Sequence, residues 1–171
     1  MLLKQNDWLY QKLISHKLKL VYLRIPKCAS SSMVEYIKSF DPDAEYKRTK
    51  RHYRGYFHFT VVRDNMERVK STFKEKIWRA NKEEAMGFIK QHPGLVYKMP
   101  YKDFLIYASS HDDPHWIPCE MFYLKNCVDI KIYNMSDVVK WPNFPENNKS
   151  DDITLWRGDF DNMPLLEQRW T

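Results

Sequence analysis

Lys27 stands directly before Cys28, Ala29, Ser30, Ser31 and Ser32, a run of small residues between an apolar stretch and a helical stripe. A turn entering a helix presents backbone N–H groups with no intrahelical partner and the positive end of the helix dipole; small side chains let an anion come close. Lys27 adds a full charge and the serines add hydroxyl donors, so the run reads as a cradle for a phosphate-like anion. Nucleoside triphosphatase loops need G-x-x-x-x-G-K-[ST] with the lysine at the helix end, whereas here the lysine comes first and glycine is absent. A thiol at a helix N-terminus can act as a nucleophile, but a cysteine phosphatase of the C-x5-R type needs Arg where Val34 stands. Cys28 is read as a small residue that fits a tight turn.

A second basic turn opens at Arg63, and Ser71 follows about two helical turns later. At the C-terminal edge of a strand, Arg63 would hold a second phosphate through a forked, charge-assisted contact, helped by the Ser71 hydroxyl. His111, Asp112, Asp113 and His115 are metal-capable and closely spaced. They flank Pro114 and lack a helical frame such as H-E-x-x-H, so no metal site is expected.

The elements that would place these turns follow from apolar periodicity. Leu18 to Ile25 is a short, nearly continuous apolar run stopped by Pro26, and Phe57 to Val62 is a second; both read as buried strands. Val128 to Tyr133 reads as a third, followed by a short helix near Ser136 to Trp141. Met33, Ile37 and Phe40 form the apolar stripe of a first helix, with the preceding serines as N-caps, and Met66, Val69, Phe73 and Ile77 that of a second. Glu83 to Gln91 and Tyr101 to Ser109 read as helices, with Pro93 and Pro100 as breaks. Repeated strand, turn and helix predict an α/β fold: a short parallel β-sheet flanked by helices, with ligands beyond the carboxyl ends of the strands.

Composition bounds the rest. With 171 residues, 43% hydrophobic and 29% charged, the chain is expected to fold as a single domain over residues 1–171. No linker, repeat or low-complexity tract divides it. No apolar run approaches the roughly 20 residues of a membrane span, and the opening lacks the apolar core of a secretory signal, so a soluble, cytoplasmic protein is expected. Cys28, Cys119 and Cys127 cannot all pair and have no metal-ligand spacing, which argues against a disulfide scaffold and for a reducing compartment. The formal net charge of +6 is uneven: residues 1–90 hold 20 Lys and Arg against 10 Asp and Glu, and the remainder 8 against 12. The anion belongs in the basic half. The cations are interspersed with acids rather than gathered in one stripe, and no nucleic-acid partner is expected.

Four segments, in order, resemble those of the sulfotransferases that use 3'-phosphoadenosine 5'-phosphosulfate (PAPS), in particular the carbohydrate (Golgi-type) branch. Residues Pro26 to Ser32 are similar to the family's P-K-x-G-x-T-S phosphosulfate loop, and Arg63 to Ser71 to its R-D-P-x-x-R-x-x-S motif for the 3'-phosphate. His115-Trp116-Ile117-Pro118 resembles the branch's H-W-x-P-Q, and Phe144 to Ser150 its L-P-h-x-N-k-S stretch. Ala29 replaces the loop glycine, Asn65 a proline and Cys119 the glutamine. The resemblance implies the P-loop-like sulfotransferase fold and sulfuryl transfer from PAPS to an acceptor hydroxyl, with a carbohydrate as acceptor, PAP as product and no metal. It implies that Lys27 and the N–H groups of residues 28–32 serve the leaving phosphate, and that Arg63 and Ser71 fix the 3'-phosphate. A general base between the two motifs would be His52, while His58, inside a strand, reads as structural. His115 and Trp116 would lie near the donor or acceptor, although Trp116 also reads as a core residue. The competing classes are a non-catalytic binder of nucleotide or nucleic acid, marked by steep salt dependence, and a kinase-like enzyme, which would need ATP and Mg²⁺.

Overall fold

A computed structural model describes residues 7–126 and 129–145. Cys127, Val128 and the stretch from Glu146 to Ser150 lie outside the described residues. The described chain forms two compact units: one contains the residues up to Arg63 and those from Pro118 onward, the other Asp64–Ile117.

The first unit is built on five strands: β1 (Gln11–Ser15), β2 (Leu20–Leu23), β3 (Glu45–Arg48), β4 (Phe57–Val62) and β5 (Lys131–Asn134), in the order β3-β1-β2-β4-β5. The parallel part expected from the apolar runs is β2-β4-β5, with Leu23 opposite Thr60 and Val62 opposite Asn134. β1 and β3 extend it antiparallel, with Lys12 opposite both Leu23 and Lys47, so the sheet is mixed rather than wholly parallel. Helix α1 (Ser30–Phe40) crosses over between β2 and the rest of the sheet. Its Met33 and Ile37 pack with Leu13, Tyr22, Phe59 and Val61 in one core. Phe40, the third member of the expected stripe, is 50% exposed and instead meets Tyr36 edge to face. The other face of the sheet carries Lys12, Ile14, Val21, Leu23, His58 and Thr60, all buried. Two short helices, α5 (Glu120–Tyr123) and α6 (Met135–Val138), complete the unit.

The second unit is the chain inserted between β4 and β5. Helix α2 (Asn65–Phe73) continues into a wide π turn (Lys74–Trp78) and is followed by α3 (Lys82–Ile89) and α4 (Tyr101–Ser110). The expected stripe is present: Val69, Phe73 and Ile77 are buried with Phe104, Leu105 and Trp116, and Met66 packs against them. Asn81 and Glu84 form a reciprocal capping box on α3, and Pro100 caps α4, so the helices begin where the sequence offers a cap or a fixed φ. Among the described residues no helix is long and apolar enough to cross a membrane.

Candidate functional site

The turn between β2 and α1 is made almost wholly of backbone. The Met33 N–H donates to Ala29 O at 2.9 Å, which makes Ala29 the N-cap and Ser30, Ser31 and Ser32 the first helical turn. The serines are therefore not the caps that the sequence suggested; the helix starts before them, and no side chain caps it. Their N–H groups are the ones a helix leaves without an internal partner. Lys27 and Ala29 both adopt left-handed backbone, with φ of 66° and 52°, an unfavourable region for residues with a Cβ. The position at which the family's pattern has glycine thus keeps the glycine conformation while carrying alanine.

Cys28, between these two residues, is fully buried. Its Sγ lies 3.8 Å from Sγ of Cys119, and the Cys119 thiol donates to the backbone carbonyl of Arg63 at 3.5 Å. One side chain therefore touches both the small-residue turn and the residue that follows β4. The register explains why: β2 and β4 are parallel neighbours, so the segments that follow Leu23 and Val62 leave the same edge of the sheet. The Thr60 hydroxyl donates to Leu23 O at 2.8 Å and ties the strands just before they diverge. Lys27 and Arg63, the two cations of the separate motifs, arise at that common edge.

His52 is exposed and occupies the loop before β4. Its ring stacks on that of His58, with centroids 4.5 Å apart. His58 is buried and donates through Nε2 to the Tyr53 carbonyl at 3.0 Å, the structural role expected of it. Burial pushes the His58 imidazole below its ordinary value, and the charges of His52 and Lys12 act the same way. Lys12 is buried beneath the loop and donates to the Arg51 carbonyl at 3.2 Å. Above these anchors, His52 lines a cleft of about 410 Å³ with Lys47, Arg51, Tyr53, Arg54 and Tyr56. His58 precedes Arg63 by five residues, a rise of about 16 Å along an extended strand. The stacked pair belongs to the opposite half of β4 from Arg63.

Ser71, His115 and Trp116 belong to the second unit. Ser71 lies half-buried in α2. Trp116 is fully enclosed in the core, and its Nε1 donates to His111 O at 2.7 Å. The segment 113–117 is fixed to α2 by Arg68: its buried guanidinium donates to the carbonyls of Pro114, at 2.9 Å, and Ile117. The Thr72 hydroxyl donates to His115 O at 2.9 Å. Arg68 is the second arginine of the R-D-P-x-x-R-x-x-S pattern, the only signal the sequence gave of this role.

Asp113 accepts from the His115 backbone N–H at 2.8 Å, from His115 Nδ1 at 2.6 Å and from His92 Nε2 at 2.7 Å. With Nδ1 donating, a neutral His115 ring carries its lone pair on Nε2. His92 Nδ1 also faces the Phe88 carbonyl at 2.9 Å. Both of its nitrogens therefore face acceptors, the pattern of a doubly protonated ring. Burial opposes that charge, but the Asp113 hydrogen bond outweighs it with the help of Phe88 and raises His92 above its ordinary value. Burial likewise works to raise the Asp113 carboxyl; hydrogen bonds from His115 and His92 prevail and hold it well below the usual carboxylate range. His92 had no place in the sequence-based site, because it lies 21 residues from its partner.

A family model described as the sulfotransferase family matches residues 10–140. No curated protein and no solved structure gives a match.

Proposed function

The chain belongs to the sulfotransferase family, and on that premise we propose that it transfers the sulfuryl group of PAPS to a hydroxyl of a carbohydrate. The observation that carries this reading is the Cys119 thiol, which touches both the turn after β2 and Arg63 just after β4. Two cationic turns at one sheet edge suit a donor with phosphate groups at two ends. The donor fits the chain in composition as well: the first turn of α1 has backbone N–H donors and no acidic residue.

In this reading Lys27 and the N–H groups of residues 28–32 bind the phosphosulfate and stabilise negative charge that grows on the leaving oxygen. Arg63, with Ser71, binds the 3'-phosphate and so sets the direction of the sulfuryl group, since transfer requires attack in line with the departing bond. The donor supplies an activated sulfuryl group, and the chain supplies charge, orientation and a base. His52, the base read from the sequence, lies in the loop before β4, in the half of the strand away from Arg63. It serves as the base of this proposal where the acceptor cleft runs along the strand to the donor, and the cations and tyrosine rings around it offer a sugar both hydrogen bonds and flat apolar faces. A specific observation favours a second candidate. Asp113 holds His115 with Nδ1 donating, an arrangement that presents Nε2 as a proton acceptor.

Thermal unfolding with adenosine 3',5'-bisphosphate (PAP) tests the donor assignment. A ligand that binds the native state at about 100 times its dissociation constant adds about 2.7 kcal/mol, and a clear upward shift in melting temperature is expected. No shift at millimolar ligand would remove the assignment. Transfer assays with radiolabelled PAPS then identify the base: the variant among His52→Ala and His115→Ala that loses turnover while retaining the PAP-induced shift has lost the proton acceptor.

A further inference from the structure

We propose that Cys28 and Cys119 form an oxidative modification site, in which a peroxide converts the two thiols to a disulfide that closes the donor-binding turn. The effect on donor binding rests on the function proposed above.

The fold brings the two cysteines together from positions 91 residues apart, with their sulfurs at 3.8 Å. A disulfide has an S–S length of about 2.05 Å, so bond formation needs under about 2 Å of approach. Both thiols are buried, Cys28 at 0% and Cys119 at 2% exposure. Burial shields the pair from bulky disulfides, so the oxidant proposed is one as small as hydrogen peroxide, reaching the thiols through local opening of the turn. In the first step one thiolate attacks a peroxide oxygen: the O–O bond breaks, hydroxide leaves, and the sulfur becomes a sulfenic acid. In the second step the other sulfur attacks the sulfenic sulfur. The S–S bond forms, the S–O bond breaks, and the departing hydroxide takes the remaining proton as water. Two thiols and one peroxide thus give one disulfide and two waters.

The pair sits where such a bond would alter binding. Cys28 is flanked by Lys27 and Ala29, both already in left-handed backbone, so the turn has little freedom to absorb a pull on its central residue. On the other side, the Cys119 thiol donates to the Arg63 carbonyl, and a disulfide sulfur has no proton to give. Oxidation therefore draws on the Lys27 turn and releases the contact at Arg63 in one event. A thiol reductant reverses both.

The test uses the full chain with Cys127→Ser, which leaves only these two thiols. Treatment with a small excess of hydrogen peroxide, followed by alkylation under denaturing conditions and peptide mapping, should reveal a Cys28–Cys119 cross-link. PAP affinity measured by calorimetry should fall at least tenfold and recover with dithiothreitol. The same protein carrying Cys119→Ser should bind PAP and keep its affinity through peroxide treatment. Absence of the cross-link, or an equal loss of affinity in the Cys119→Ser protein, overturns the proposal. A reduced protein that binds no PAP overturns the proposed function and this effect with it. A reduced protein that binds PAP and holds that affinity after cross-linking overturns this proposal alone.

Discussion

Two strand-to-helix turns, one after β2 and one after β4, solve the same problem in opposite ways. The helix after β2 begins at left-handed Ala29 with no side-chain cap and no acid in its first turn. The helix after β4 begins at Asp64, whose carboxylate accepts from the Glu67 N–H at 2.9 Å, and Glu67 adds a second acid. A carboxylate at a helix N-terminus satisfies donors that an anion would otherwise use and adds repulsion against it. The first turn therefore has no side-chain cap competing for its backbone donors, the opening on which the proposed phosphate cradle rests. The second has given one of its backbone donors, the Glu67 N–H, to its own Asp64 side chain, and in the proposed function recognition there falls to the side chain of Arg63. Similar topology does not make two turns equivalent; the residue at the cap decides which one is open to a ligand.

Substitution of the two cations probes this difference most strongly. Lys27→Ala should lower turnover by about a hundredfold to a thousandfold, the usual consequence of removing a group that stabilises transition-state charge, while PAP binding is reduced less. Arg63→Ala should weaken PAP binding by about tenfold to a hundredfold, as expected for one lost hydrogen-bonded charge. Calorimetry alongside a transfer assay separates the two effects, and equal losses of affinity and turnover in both variants would break the assignment.

A smaller effect is expected from pH, because the open turn has no acid to titrate while the Asp113 cluster does. Asp113 is held below its ordinary value of 3.8, so its contribution to stability is present above about pH 4 and is lost as the pH falls through the folded value. His92 is raised above 6.5; its contribution is complete below about pH 6.5 and is lost as the pH rises through the folded value. Urea unfolding across pH should show the cluster contributing most between about pH 4 and 6.5. Asp113→Asn should flatten that profile, and an unchanged profile would remove the cluster from the account.

The caps themselves should give the smallest changes, of opposite sign. Ala29→Gly relieves left-handed strain and should stabilise the protein by up to about 1 kcal/mol. Asp64→Ala removes a satisfied cap and should cost about 1 kcal/mol. Chemical denaturation of both variants measures the contrast directly, and changes of the same sign would contradict it.

Sequence legibility follows the same physical division. The cores around β2, β4 and α2 are plain because runs such as Phe57 to Val62 and the Val69, Phe73, Ile77 stripe repeat at the period of their element. β3 gave no signal, since all four of its residues are exposed and it contributes no apolar face. β1 contains only five residues, and its buried Lys12 interrupts the apolar pattern. The small-residue turn was legible as a turn entering a helix, but its cap was not, because a serine favours a cap only where the backbone is extended, and here the left-handed Ala29 has already started the helix. Asp113 and His115 were visible as neighbours, whereas His92 and Arg68 reach that segment from elsewhere in the chain. Pairings of that kind leave no local periodicity to read.

The outermost strands among the described residues, β3 and β5, carry Lys47, Arg48 and Lys131. An exposed sheet border is a template on which another chain could extend the ladder. Lys47 is paired with Glu45 on the same strand at 2.7 Å; if two copies approached border to border, the charges of Arg48 and Lys131 would be brought together, and their repulsion would oppose growth of a continuous intermolecular sheet. A basic border of this kind guards the sheet against runaway self-association.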